Sequence, residues 1–245
     1  MGELKGIVQF TGNFNGLSFY KGRNGKIIVR KTGGFKDKPI KTHANYARTR
    51  ENASEFGRCA RAGKVFRMAL RRYLKPMNIS YVHNKVLKLF REVLVFDSTS
   101  VRGYREVGLG LQSDQGKELL VGYEFDPNCK VSFLFPLTYD LNLDAGQLIF
   151  SNLDSNLASF PKGATHVIVE FGLLRMDFME LVATKLVTDT LVLGKESVIT
   201  SSMLTVAVPE GDGVLIGLLH VGFRQEVDGI FYNLKDAGLR IVGCS

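Results

Sequence analysis

The sequence predicts an α+β protein, with a basic β-hairpin and a basic helical hairpin in residues 1–97 and an acidic antiparallel β-sandwich in residues 98–245. Three observations lead to this prediction: a proline-free stretch with helical spacing of apolar residues, short β-rich runs after residue 97, and a reversal of charge between the two parts. With 245 residues and 45% apolar content, the chain is long enough for one large or two small domains with ordinary cores.

A β-hairpin is predicted near the N-terminus. Asn24 and Gly25 stand between two β-prone runs and suit a two-residue type I′ turn, in which both residues need a positive φ. Pairing about that turn would place Tyr20 opposite Val29, with apolar groups on both faces of the ribbon. We therefore expect both faces to be covered, by the body of the protein or by a neighbouring chain. Residues 32–42, rich in glycine and lysine, should form an exposed linker.

A helical hairpin is predicted next. Residues 45–74 contain no proline, and apolar or small residues recur there at close to helical spacing, which predicts a long amphipathic helix that Pro76 ends. A second helix is expected from about Ser80 to Val95, antiparallel to the first.

The remainder of the chain consists of short β-rich runs separated by turn residues, a pattern typical of an all-β domain. We predict eight to ten strands, without intervening helical patterns, in a sandwich; a jelly roll or a partly open barrel is an alternative. The predicted strands are 118–125, 130–135, 147–150, 165–171, 176–184, 190–193, 202–208, 214–222, 229–233 and 239–242.

The net charge of +8 conceals a division between the two parts. Residues 1–91 contain 21 Lys and Arg against 4 Asp and Glu, and residues 92–245 contain 11 against 20. Such a reversal is typical of a chain whose basic part has an anionic partner. The alternative is that the two parts neutralise each other within one fold.

No motif in the sequence fixes a chemistry. The glycines of residues 110–118 have the wrong spacing for a phosphate-binding loop, and residues 140–146 lack the glycine and the glutamate that an EF-hand requires. A looser calcium site at residues 140–146 stays open, although a solvated turn is the simpler interpretation. Asp177 and Glu180, three apart in a predicted strand, should lie on opposite faces. We expect no catalytic residue, no metal site and no cofactor.

The histidines and cysteines give no clear functional signal either. The four histidines are far apart, and His166 and His220 lie inside predicted strands, where a hydrogen-bonded structural role is expected. The three cysteines lack metal-ligand or C-x-x-C spacing and are interpreted as unpaired thiols.

The basic region is the one positive signal for binding. A helix that displays arginines and lysines, next to a basic hairpin tip, is suited to phosphates but lacks any recognisable base-reading motif. The candidate residues for an anionic partner are Lys21, Arg23, Lys26, Arg50, Arg58, Arg61, Lys64, Arg67, Arg71, Arg72 and Lys75.

Residues 16–21, 28–34 and 47–64 resemble the N-terminal region of a group of uncharacterised proteins from Bacteroidetes bacteria. The resemblance covers about the first 75 residues and implies no activity and no functional residue.

The leading hypothesis from the sequence is a non-enzymatic scaffolding protein that forms homo-oligomers through its basic N-terminal region, since opposite charges favour head-to-tail contacts. The second is sequence-independent nucleic-acid binding by the same surface, and an enzyme is a third, less favoured possibility. Without a signal-peptide pattern or a long apolar run, we expect no membrane contact and a cytoplasmic protein, within a larger assembly or alone; non-classical export and a phage origin stay open.

Overall fold

The computed structural model describes residues 2–4, 10–22, 24–33 and 37–245. The chain divides into two compact units, residues 1–50 and 51–245. This division differs from the predicted boundary at residue 97. The apolar residues of the helices and those of the sheet belong to one hydrophobic core, so a boundary at residue 97 would cut through it.

The first unit contains a four-stranded antiparallel sheet in the order β1-β4-β3-β2. Its strands are β1 (Gly2–Glu3), β2 (Gly12–Phe14), β3 (Leu17–Lys21) and β4 (Ile27–Lys31). A short helix α1 (Asp37–Thr42) and a single 3₁₀ turn (Ala44–Tyr46) follow. The predicted linker is therefore partly helical.

The hairpin exists, but its predicted register is wrong by one residue. Tyr20 pairs with Ile28 rather than with Val29, and Phe19 takes Val29 as its partner. The N–H of Gly22 donates to the carbonyl of Lys26, so the loop is one residue longer than a type I′ turn. Because side chains alternate along a strand, this slip puts Phe19 and Val29 on one face together.

The predicted helical hairpin is confirmed in outline. The first helix is divided into α2 (Ala47–Ala69) and α3 (Arg71–Met77), and the second is α4 (Val82–Leu94). Pro76 lies inside the last turn of α3 instead of ending the helix before it.

Three further short helices replace predicted strands and loops. They are α5 (Val107–Gly110), α6 (Asp114–Leu120) and α7 (Val131–Leu134). The strands predicted at 118–125 and 130–135 are therefore wrong. Ser113 explains the first error, because its hydroxyl accepts from the N–H of Gly116 at 3.1 Å and caps α6. Short apolar runs do not distinguish a strand from a buried helical turn by themselves.

Eight strands form two antiparallel sheets in the second unit. One has the order β12-β11-β7-β8 with β9 also paired to β7, and the other has the order β10-β6-β5. The strands are β5 (Tyr139–Asn142), β6 (Gln147–Asp154), β7 (His166–Asp177), β8 (Val182–Ala183), β9 (Val187–Gly194), β10 (Val198–Thr205), β11 (Val214–Val227) and β12 (Ile230–Cys244).

The second unit has three layers, and the α+β prediction with a β-rich C-terminal region is confirmed. Helices α2 to α6 cover one face of the five-stranded sheet and share a core with it. The three-stranded sheet covers the other face and encloses a second core. Strands β7 and β11 are therefore buried on both faces, so a polar side chain within them needs a partner. No helix in the described ranges is long and apolar enough to cross a membrane.

Candidate functional site

A row of cations runs along the outside of α2 and α3. Arg61, Lys64, Arg71 and Lys75, with Met68 between them, follow one another at intervals of three or four residues and therefore lie on one side of the helix run. All four are exposed, and none of them takes part in an ion pair with a residue that the structure describes. We call these four residues the cationic stripe.

Other predicted cations are held by their own chain. The Nε atom of Arg58 lies 2.6 Å from Oε1 of Glu106, and its Nη1 donates to the hydroxyl of Ser54 at 2.9 Å. Burial raises the pKa of Glu106, while the nearby charges of Arg58 and Arg61 oppose that rise. Arg67 is half-buried, and burial lowers its pKa. Arg58 is therefore neutralised by its own chain, and Arg67 is partly withdrawn from solvent.

In the first unit, Arg50 donates from Nη1 to the backbone carbonyls of Ile40 and His43, at 2.8 and 2.9 Å. Lys26 pairs with Glu3 at 3.1 Å, and Lys21 is exposed. Arg23 lies outside the described residues.

The remaining predicted cation, Arg72, belongs to a charged cluster against the sheet. Its Nη2 donates to Oε1 of Glu170 at 2.7 Å, and its Nη1 donates to the hydroxyl of Thr188 at 3.0 Å. Glu170, in the middle of β7, is only 8% exposed and also accepts from the hydroxyl of Thr190. Burial by itself would raise the pKa of Glu170, but His220, Arg72 and Thr190 outweigh burial and hold the pKa below its ordinary value.

His220 completes this cluster, because β11 pairs with β7 in the register that puts it directly opposite Glu170. Its Nδ1 lies 3.2 Å from Oε2 of Glu170, although no straight hydrogen bond forms there with any described group. The ring of Tyr73, on α3, stacks on the imidazole with a centroid distance of 4.6 Å. The guanidinium of Arg72 lies 5.0 Å from the centre of the Tyr73 ring. Helix α3 is thus fixed to the sheet by one aromatic and one ionic contact.

A second buried charge cluster fixes the segment between α4 and α5. Glu55, on α2, accepts two hydrogen bonds from the guanidinium of Arg105, at 2.8 and 2.9 Å, and a third from the N–H of Gly103. The hydrogen bonds from Arg105 lower the pKa of Glu55 although burial opposes them. The cluster is structural, since both groups are saturated by each other.

Asp97 holds the same segment at its other end. Its carboxylate accepts from the backbone N–H groups of Thr99, Ser100 and Glu106 at 2.9 to 3.0 Å. Burial raises its pKa, but these hydrogen bonds prevail and lower the pKa of Asp97 to about 2.

Comparison of the chain with protein-family models, with curated proteins and with solved structures gives no match. Function must therefore be inferred from the arrangement of the side chains themselves.

From the sequence, His220 is expected to be a hydrogen-bonded structural histidine, and neither its contact with Glu170 nor a role for Glu170 is predicted. A signal was present: each is a single ionisable residue inside an otherwise apolar run, Val167–Phe171 for Glu170 and Val214–Val221 for His220. Two such residues in two strands that are buried on both faces must find partners, and each other is the simplest choice. In the loop at residues 140–146, the amide oxygen of Asn142 accepts from the N–H of Ala145 at 3.0 Å, as in an ordinary turn. The described residues contain no group of three or more acidic, histidine or cysteine side chains arranged to hold a metal.

Proposed function

We propose that this protein is a non-enzymatic nucleic-acid-binding protein that contacts the phosphate backbone through the cationic stripe. The observation that carries the proposal is the contrast along one helix run. Arg58 and Arg72 form ion pairs with Glu106 and Glu170, whereas Arg61, Lys64, Arg71 and Lys75 are exposed and form no ion pair with a described residue.

The distribution of charge between the two units supports this choice over head-to-tail assembly. Residues 51–245 contain 21 Lys and Arg and 22 Asp and Glu, so the second unit has a net charge of −1, while residues 1–50 carry a net charge of +9. The acidic excess predicted for the β-domain disappears once the helices are counted with it. Attraction between unlike units of neighbouring chains is then weak, whereas attraction to a polyanion is not.

The physical basis of binding is electrostatic and independent of sequence. Each phosphate that a lysine or arginine neutralises releases counterions, so affinity falls steeply as salt concentration rises. The stripe presents long cationic side chains without a groove-reading pattern, so discrimination between bases is not expected.

The test measures the fluorescence anisotropy of labelled single-stranded and duplex oligonucleotides at several salt concentrations. One variant carries Arg61→Gln, Lys64→Gln, Arg71→Gln and Lys75→Gln. The matched control changes four lysines of the second unit outside the stripe to Gln: Lys88, Lys162, Lys185 and Lys195. Both variants lose the same net charge.

We expect the stripe variant to reduce the magnitude of the logarithmic salt slope on single strands by about 3, since each phosphate contact contributes about 0.7. The control variant should keep most of the wild-type slope. Equal losses in the two variants, or a flat slope in the wild-type protein, would contradict the proposal.

A second candidate is self-association through the first unit, and exposed aromatic side chains there favour it. Phe14 is 70% exposed and Phe10 is 44% exposed, and Leu17, the cross-strand partner of Phe14, is exposed as well. Light scattering at low and high salt tests it: an oligomer that persists in high salt and dissociates on Phe14→Ser supports an apolar interface. A monomer at every concentration would remove this candidate.

A further inference from the structure

A cavity of about 150 Å³ opens beside the charged cluster of α3 and the sheet. One side is apolar, with Ile168, Pro76 and Met77 among its walls. The other side is polar and brings His220, Arg224 and Lys235 to the same space. Ligand sites typically combine such an apolar body with a few convergent polar groups.

Two backbone features keep this cavity open. Gly222 lies in the interior of β11, and a Cβ atom there would come within 3.1 Å of Cε1 and 3.6 Å of Nε2 of His220. Opposite it, the pairing of β11 with β12 shifts between Gly222 and Arg224, so that residues 234–236 bulge out against Phe223 alone. Glycines within strands and β-bulges both occur where a ligand or an active site needs space.

The polar groups of the cavity differ in how far their own chain satisfies them. Arg72 is neutralised by Glu170. Arg224 donates from Nε to Oδ1 of Asn233 at 2.9 Å, while its terminal nitrogens make no hydrogen bond with any described residue. Lys235 is exposed and forms no ion pair within the described ranges. The cavity therefore holds two cations with free donors and one carboxylate that is already compensated.

His220 adds a further polar group. The carboxylate of Glu170 beside Nδ1 favours a proton on that nitrogen, because a lone pair there would face a negative oxygen. The other ring nitrogen, Nε2, lies on the side of Gly222 and the cavity, where it can form a hydrogen bond with a ligand.

We propose that this cavity binds a small organic hydroxy-carboxylate. Arg224 and Lys235 hold the carboxylate, Nε2 of His220 forms a hydrogen bond with the hydroxyl group, and the apolar wall contacts the carbon skeleton. A cavity of this volume accommodates a molecule of about the size of benzene, so the ligand has roughly six non-hydrogen atoms.

The test titrates the protein with lactate while NMR follows the imidazole nitrogens of the four histidines. The His220 signal is assigned by its loss in His220→Asn. Lactamide, which lacks the charge, and propionate, which lacks the hydroxyl, are the matched controls. For so small a ligand a Kd of about 1 mM is reasonable, so the titration extends to about 20 mM.

We expect a saturable shift of the His220 signals with lactate and at least about tenfold weaker binding of each control, as the loss of a charge-assisted or a buried hydrogen bond implies. Lys235→Gln should weaken lactate binding about tenfold, and because Lys235 is exposed, this variant retains the fold. Lys162→Gln, another exposed lysine, should not change binding.

A second pair of variants tests whether lactate binding requires the open volume of the cavity. Gly222→Val should abolish the lactate response by filling the cavity. Gly194→Val is its control, since Gly194 also lies in a strand beside a histidine, but its nearest neighbours, at 3.6 and 3.9 Å, leave ordinary room for a side chain. Unchanged His220 signals up to 20 mM lactate, or equal responses to lactate and lactamide, would overturn the proposal and leave the cluster as a purely structural one. These results do not depend on oligonucleotide binding.

Discussion

Both sides of the helix run α2–α3 carry basic residues, but Arg58 and Arg72 on the inner side form ion pairs within the chain, whereas the basic residues on the outer side form none with the described residues. On the inner side, Arg58 and Arg72 contact Glu106 and Glu170 at 2.6 and 2.7 Å. On the outer side, the cationic stripe is exposed and unpaired among the described residues. The difference shows that a count of basic residues does not tell which of them stabilise the fold and which are available to a partner. Whether a basic residue is available to a partner depends on whether a partly buried carboxylate of the same chain lies beside it.

The comparison predicts that stability resides in the inner pairs, and the largest effect is expected at Glu55. Glu55→Ala leaves the half-buried guanidinium of Arg105 without its partner, and the free energy of unfolding should fall by about 3 kcal/mol. Urea unfolding followed by circular dichroism measures this, since the chain contains no tryptophan. Glu51→Ala is the control. It removes the partner of Arg102 in an ion pair that is more exposed than that of Glu55, so the free energy of unfolding should fall by less than about 1 kcal/mol. Similar losses of stability in both variants would contradict the assignment of stability to the buried ion pairs.

Asp97 should give the next largest effect, and a dependence on pH. Its pKa is lowered from 3.8 to about 2 in the folded protein, so its contribution is complete at neutral pH and is lost as pH falls through about 4 to 2. A shift of this size corresponds to about 2 kcal/mol. Asp97→Asn should therefore lose about that much stability at pH 7 and show less acid destabilisation below pH 4 than the wild-type protein. Parallel urea curves at pH 7, 4 and 3 measure it, and an unaltered acid slope in the variant would contradict the assignment.

Arg71 and Arg72 are neighbours in the sequence but differ in whether they form an ion pair with a described residue. Arg72→Met removes a partner of the buried Glu170, but the side chain of Arg72 is 51% exposed, so solvent already weakens the pair. We expect a loss of about 1 kcal/mol. Arg71→Met, one position away and exposed, should change stability by less than about 0.5 kcal/mol. If thermal unfolding gave the two variants equal midpoints, the distinction between inner and outer cations would have no energetic meaning.

The smallest effect on stability is expected for the stripe itself. The fourfold stripe variant should unfold within about 1 kcal/mol of the wild-type protein, because exposed charges without partners contribute little. Its effect should instead be on binding to a polyanion. A large loss of stability in this variant would mean that the stripe is already engaged within the chain.

Much of the local structure follows from the order of the residues. The periodicity of apolar residues located the helices at 47–77 and 82–94 with errors of a few residues at their ends, since a helix with one buried face must repeat that pattern. Alternating and apolar runs located most of the strands from residue 147 onwards. Short segments failed, as at Glu118, where the cap at Ser113 made a helix of an apolar run that could equally form a strand.

Which charged groups come into contact depends on the tertiary fold. Glu170 and His220 are 50 residues apart and become neighbours through the register of two strands, which no local pattern specifies. Arg71 and Arg72 are equivalent by composition, yet one faces solvent and the other Glu170. An α-helix turns about 100° per residue, so consecutive side chains point in different directions, and only the position of the sheet determines which of them finds a carboxylate.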